Sequence, residues 1–285
     1  MLNMKSIFIC LPIALLAVSC STINRKLYSP TQPNNPSLQA KNDYSLGATY
    51  SSPSGFDING GYAITDRIAV IGGLHSYKNK DREEKATIFS NDRASSLLKY
   101  KHNGFHAGVG YYFPISRKKS PEFLAFFSGY SNGKFEMNES MVEYSTSTTT
   151  PPPPPAPPKL NSYTSNLNRW FLQGSYNMYD KLLHLSLITR FSYAGYNKIV
   201  TDYTTAEQVE YRLPDVGYKK WSPFFDFTFD TKIFFSEDHR FGMQFFGTIS
   251  IRTKSEDFNF STYPFRAGIG LVFKSPFKKA AAKKD

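Results

Sequence analysis

Phe225-Asp226-Phe227-Thr228-Phe229-Asp230-Thr231-Lys232-Ile233-Phe234-Phe235 is the stretch that decides the fold class of this chain. Phe225, Phe227, Phe229, Thr231, Ile233 and Phe235 share one parity, and Asp226, Thr228, Asp230, Lys232 and Phe234 the other. Successive side chains of a strand point to opposite faces, so the stretch reads as a β-strand with one apolar and one charged face. Its neighbours repeat the pattern. Leu183, Leu185, Leu187, Thr189, Phe191 and Tyr193 alternate with His184, Ser186, Ile188, Arg190 and Ser192. Phe241, Met243, Phe245, Ile249 and Ile251 alternate with Gln244, Thr248, Ser250 and Arg252, and Tyr263, Phe265, Ala267, Ile269, Leu271 and Phe273 with Arg266, Gly268 and Gly270.

Outward from that stretch, ten alternating segments are found between Asp43 and Lys274. Alternation alone also suits a soluble sandwich, which buries its apolar face. Length favours a membrane: sandwich strands run about 5 to 6 residues, whereas strands crossing a bilayer at a tilt need about 9 to 11. Connection lengths agree. Short ones at Thr65 to Arg67, Ile115 to Glu122, Asp180-Lys181 and Ser236 to His239 alternate with long ones at Lys78 to Arg93, Met137 to Asn161, Asn197 to Lys219 and Lys254 to Asp257; only the first hairpin, Ser52 to Gly55, is short on the long side. Up-and-down barrels of the outer membrane have short turns on one side and long loops on the other. The fold expected is all-β, an antiparallel up-and-down transmembrane barrel of ten strands over residues 43–274, with eight strands as the alternative.

At the start, Lys5, the apolar run Ile7 to Val18, and Ser19 before Cys20 form a signal peptide over residues 1–19. The run is too short to span a hydrocarbon core as a helix, which takes roughly 20 residues. Cleavage leaves 285 − 19 = 266 residues. Cys10 falls inside the signal, so the mature chain keeps a single cysteine and has no internal disulfide to form. Leu16-Ala17-Val18-Ser19-Cys20 resembles a lipobox, which implies a lipid on Cys20; Ala17 stands where that pattern prefers Leu. Residues 20–42, polar and proline-bearing, read as a tether from lipid to barrel, with the anchor on the short-turn side.

The whole from Asp43 to Lys274 resembles the small outer-membrane β-barrel proteins of the OmpA-like and related classes. Gly268 to Phe273 is similar to the closing strand of such barrels, although here a tail follows it. The resemblance implies an outer-membrane location with lipid as partner and the long loops outside the cell. The expected function is a non-enzymatic lipoprotein barrel with a structural, surface-interaction or narrow-conduit role. A soluble lipid-tethered β-sandwich binding protein, and a surface protease or lipase of the barrel type, are the alternatives. The formal charge of +11 includes a basic tail over residues 275–285, and for an exported chain it does not point to nucleic acid.

Charges on the lipid face at mid-membrane cost about 2 to 4 kcal/mol for Arg or Lys, so Asp57, Arg169, Arg190, Asp226, Asp230, Lys232, Arg252 and Arg266 are expected inside as a polar cluster that plugs the lumen. His102 and His106, four apart, would lie about 13 Å apart along a strand, too far for one zinc without a bend at Gly104. No metal or cofactor is expected. His184 and Ser186 share a face, superficially like outer-membrane phospholipases, but on the polar side with Arg190. His75, His102, Asp81, Glu83, Glu84 and Asp92 gather near one long loop, the rim at which ten-stranded surface proteases carry their acidic residues and histidine. Pro151 to Pro155 with Pro157 and Pro158, in a loop over residues 145–159, read as a projecting polyproline rod able to meet an extracellular partner.

Overall fold

The computed structural model describes residues 25–52, 55–86, 93–116, 121–144, 157–180, 182–217, 221–252 and 261–275. The signal peptide, Cys20, Asp92, most of the proline-rich loop and the basic tail lie outside the described residues.

Ten strands close into one antiparallel barrel. In chain order they are β2 (Tyr44–Ser52), β3 (Gly55–Ala63), β4 (Ile68–Ala86), β5 (Arg93–Ser116), β6 (Glu122–Tyr144), β7 (Lys159–Tyr179), β8 (Leu183–Thr201), β9 (Trp221–Phe234), β10 (Phe241–Arg252) and β12 (Phe265–Lys274). The last closes on the first through Leu271↔Ala48 and Phe273↔Leu46, so none of the ten is left as an edge. The short pieces β1 (Lys26–Tyr28) and β11 (Ser261–Thr262) pair with each other in parallel. Among the described residues one helix, α1 (Thr205–Glu210), lies between β8 and β9 and starts on a capping box formed by Thr204 and Glu207. A closed ten-stranded barrel excludes both the eight-stranded form and the soluble sandwich.

Along β8, β9, β10 and β12 the large apolar parity points outward, Phe227 being 48% exposed, while its neighbours Asp226 and Thr228 are buried. A belt of such residues circles the barrel, with Leu46, Ile58, Leu74, Val109, Leu187, Phe245 and Leu271 exposed. Aromatic pairs rim it. At the short-turn end Tyr44 meets Phe273 at 5.9 Å and Phe235 meets Phe241 at 5.4 Å; toward the long-connection end Tyr130 meets Trp170 at 4.8 Å and Tyr193 meets Trp221 at 5.6 Å. An apolar band between two aromatic girdles is the surface of a barrel seated in lipid.

Four of the sequence boundaries are corrected. Lys78, Met137, Asn161 and Asn197, read as loop, lie within strands: β5 runs 24 residues and β6 runs 23, against 9 in β2 and β3. Since about 9 to 11 residues cross the membrane, roughly half of β5 and β6 stands beyond it. There the alternation inverts. The outward residues become Lys78, Lys80, Lys99, Lys101, Lys134 and Asn138, and the inward ones become Tyr77, Leu98, Tyr100, Phe135, Met137 and Tyr163, all buried in one apolar cluster. The reason is the solvent: outside the bilayer the outer face meets water, so the apolar parity turns inward to form a core. A reading that looked for one unbroken apolar face stops where the parity switches.

Candidate functional site

The lumen is filled by the chain's own N-terminal segment. Arg25 to Leu38, expected as part of a solvated tether, is buried apart from the half-buried Lys26. Pro30, Pro33 and Pro36 recur every third residue, the repeat of a polyproline II helix, which has no internal hydrogen bonds and leaves its backbone and polar side chains free for other partners. The barrel wall supplies those partners. Asn34 Nδ2 donates to the carbonyls of Gly60 at 2.7 Å and Gly72 at 2.8 Å. Thr49 Oγ1 and Asn59 Nδ2 donate to Gln32 Oε1, and Gln173 Nε2 donates to the Asn34 carbonyl at 2.9 Å. Gly61 is glycine because of this strap: a Cβ there would stand 2.5 Å from Pro36 Cγ.

Seven of the eight charged residues assigned to the interior are buried there, and most grip the strap as well as each other. Arg266 binds Asp57 at 2.5 Å and donates from Nη1 to the Pro30 carbonyl at 3.0 Å. Arg190 donates from Nε and Nη2 to Asp226 at 2.9 and 2.7 Å, and from Nη2 to the Thr31 carbonyl at 2.7 Å. Arg169 donates to Thr31 Oγ1 at 2.7 Å and to the Tyr28 hydroxyl at 3.2 Å. Lys232 joins Asp230 at 3.2 Å and the Asn35 carbonyl at 2.7 Å. Arg252, the eighth, is half-buried at the far end of β10. A buried charge is tolerated when it is paired and hydrogen-bonded, and here the strap supplies part of that satisfaction.

The histidines take places that strand spacing alone does not show. His75 faces Gly104 in the register, which puts it between His102 and His106, and its ring lies 4.8 Å from that of His102. Gly104 leaves the room, since a Cβ there would meet the His75 ring at 2.7 Å. Among the described residues no group of three His, Cys, Asp or Glu is arranged to hold a metal ion. Ser186 Oγ lies 3.0 Å from His184 Nε2, a nucleophile-to-base distance, but both are fully buried and His184 Nδ1 is 2.7 Å from Ser37 Oγ of the strap. The pair is thus a lumen contact that holds Ser37. Of the rim residues, His75 and His102 lie inside the barrel, while Asp81 accepts from Tyr263 at 2.9 Å and Asn79 at 2.8 Å and pairs with Lys26 at 3.1 Å. Glu83 and Glu84 lie on β4.

Beyond the girdle, the outer face of β4 to β6 carries an arrangement that sequence reasoning did not single out. The register sets Lys78 opposite Lys101 and Lys80 opposite Lys99, with Arg82 beyond them on β4 and Lys134 on β6. Glu136 is the one acid among the described outward side chains of this patch. The hydrogen bond from Lys134, at 2.7 Å, and the charge of Lys101, at 3.6 Å, hold its carboxyl below the usual range, so it is ionised at neutral pH and offsets only one of the six cations.

The chain is built as a closed ten-stranded β-barrel with an apolar outer belt. No family model matches it, and no curated protein does. Among solved structures, it is similar to one described as the outer membrane protease OmpT from Escherichia coli, with 9% identity and a TM-score of 0.48 over 82% of this chain and 95% of that one. An outer membrane protein of Vibrio cholerae, also called OmpT and folded in vitro, shares 6% identity with a TM-score of 0.21 over 82% of this chain and 96% of its own. The expectation of a non-enzymatic protein is corrected by this finding: a protease stands among the similar folds, and nothing in the comparisons supports the absence of an activity. The narrow-conduit reading is corrected by the filled lumen.

Proposed function

We propose that this outer-membrane barrel, its lumen shut by its own N-terminal strap, stands with the long connections outside the cell and holds phosphate-bearing lipid of the outer leaflet against the β4 to β6 wall. The observation that carries this reading is the cross-strand pairing of like charges, Lys78 with Lys101 and Lys80 with Lys99. Residues directly opposite on one face have Cβ atoms about 4.5 to 5.5 Å apart, and like charges placed so are destabilising. A surface that keeps such pairs gains from an anion lying between them. Their position supports a headgroup as that anion, because Lys78 and Lys101 come four residues past Leu74 and Phe105, a facing pair of exposed apolar side chains with which the lipid-facing surface of these two strands ends.

Neutralising Lys78, Lys80, Lys99 and Lys101 together to glutamine tests it. Each Lys or Arg near an anionic lipid surface contributes about 1 kcal/mol, so four together should weaken retention of the lipid by more than about a hundredfold. The measurement is the rise in unfolding temperature of the detergent-purified barrel on adding purified lipopolysaccharide, with phosphatidylcholine as the neutral comparison. The parent should rise with lipopolysaccharide alone and less so in high salt, and the fourfold variant should show almost no rise. An unchanged rise in the variant contradicts the reading.

A further inference from the structure

The strap has a direction. Its first described residues lie at the long-connection end: Arg25 is paired with Glu139 of β6 at 2.5 Å and lies over the Tyr211 ring just past α1, and Lys26 to Tyr28 pair with Ser261-Thr262 in the connection between β10 and β12. Tyr28 stacks on Phe224 at 4.1 Å, at the start of β9 on the same end. Arg190 and Arg266 then hold Thr31 and Pro30 near mid-height. At the other end, Ser37 meets His184 at the start of β8, and Lys41 N donates to Asp66 in the short turn between β3 and β4 at 2.9 Å. Asn42, at φ 67°, turns the chain into β2 there, with Asp43 Oδ2 accepting from the backbone N–H groups of Gln39 and Ala40. The segment therefore traverses the whole lumen, entering at the end opposite the one where β2 begins. The expectation that the anchor stands on the short-turn side fits the end where β2 begins and fails for the described chain that precedes β2.

We infer that the mature N-terminus is threaded through the barrel and displayed on the outside of the cell, so that Cys20, when acylated, inserts its lipid in the outer leaflet rather than the periplasmic one. The inference rests on the proposal that the long connections are external. Cys20 precedes Arg25 by 25 − 20 = 5 residues, a reach of at most about 18 Å, shorter than the roughly 30 Å hydrocarbon core. A lipid there cannot return through the lumen, which the strap itself fills, and must anchor on the side where the strap enters. The result is a barrel locked from inside and pinned at its outer rim, with its N-terminus on the same face as the basic wall.

Single cysteines at Thr22, Asp215 and Glu237, each introduced into the full chain, test this with a membrane-impermeant thiol reagent on intact and on permeabilised cells, beside the parent chain as the background set by Cys20. Asp215 follows α1 at the long-connection end, and Glu237 is exposed in the short turn between β9 and β10. The expected result is that Thr22→Cys and Asp215→Cys label as fully on intact cells as after permeabilisation, whereas Glu237→Cys labels only after it. If Asp215→Cys labels on intact cells but Thr22→Cys follows Glu237→Cys, threading is overturned while the orientation stands. If Asp215→Cys labels only after permeabilisation, the orientation fails, and external display fails with it. Failure of Thr22→Cys to label in either state also counts against the inference, since a residue outside the lumen must be reachable.

Discussion

Replacing Arg266 by methionine should cost the barrel about 3 to 5 kcal/mol, because it leaves Asp57 as an uncompensated buried charge. Three groups lose their donor at once: the Asp57 carboxylate, Ser51 Oγ, held by Nε at 2.7 Å, and the Pro30 carbonyl of the strap. The measurement is the temperature at which the folded, compact gel band gives way to the unfolded one in the purified protein. That temperature should fall steeply for Arg266→Met and recover in part in the double variant Asp57→Asn/Arg266→Met, where no charge is stranded. Additive losses in the double variant would mean that the pair is not coupled through the lumen.

Phe227→Arg is expected to be nearly as damaging for a different reason. Phe227 sits mid-strand in β9, between Thr189 of β8 and Ile249 of β10, with its ring on the lipid belt. A guanidinium at that depth costs about 2 to 4 kcal/mol. The same change at Lys99, on the outward face beyond the girdle, should cost almost nothing, since Lys99→Arg keeps the charge in water. Yield of folded protein in the outer-membrane fraction reads both. Equal yields for Phe227→Arg and the parent would contradict the assignment of this face to lipid.

Much of this architecture was legible in the sequence, and the rest was hidden for identifiable reasons. The belt could be read because between the girdles a single rule holds, apolar out and polar in, and Phe225 to Phe235 obeys it without a break. Seven of the eight charged residues assigned to the interior are buried there by the same parity. The strap was invisible because its composition is that of a linker: Ser29 to Ser37 has no apolar period, and its role lies in backbone and amide groups that meet the wall only in three dimensions. Gly61 carried a signal, a strand glycine where the Pro36 ring of the strap stands 2.5 Å from the place of a Cβ. The upper wall was missed because its parity inverts at the girdle, so Lys78 and Lys80 read as loop. The like-charge pairs needed the β4 to β5 register, which no single strand contains.

Closure of the lumen by residues 25–38 is the central claim, and ion conductance across a planar bilayer tests it most directly. The full mature chain should insert without opening a steady conductance, because Arg190, Arg266 and Lys232 hold the strap across the lumen. A chain beginning at Ser37, which lacks that filling, should show discrete ion-conducting steps under the same voltage and salt. Steady conductance of the full chain at the level of the shortened one would contradict the account.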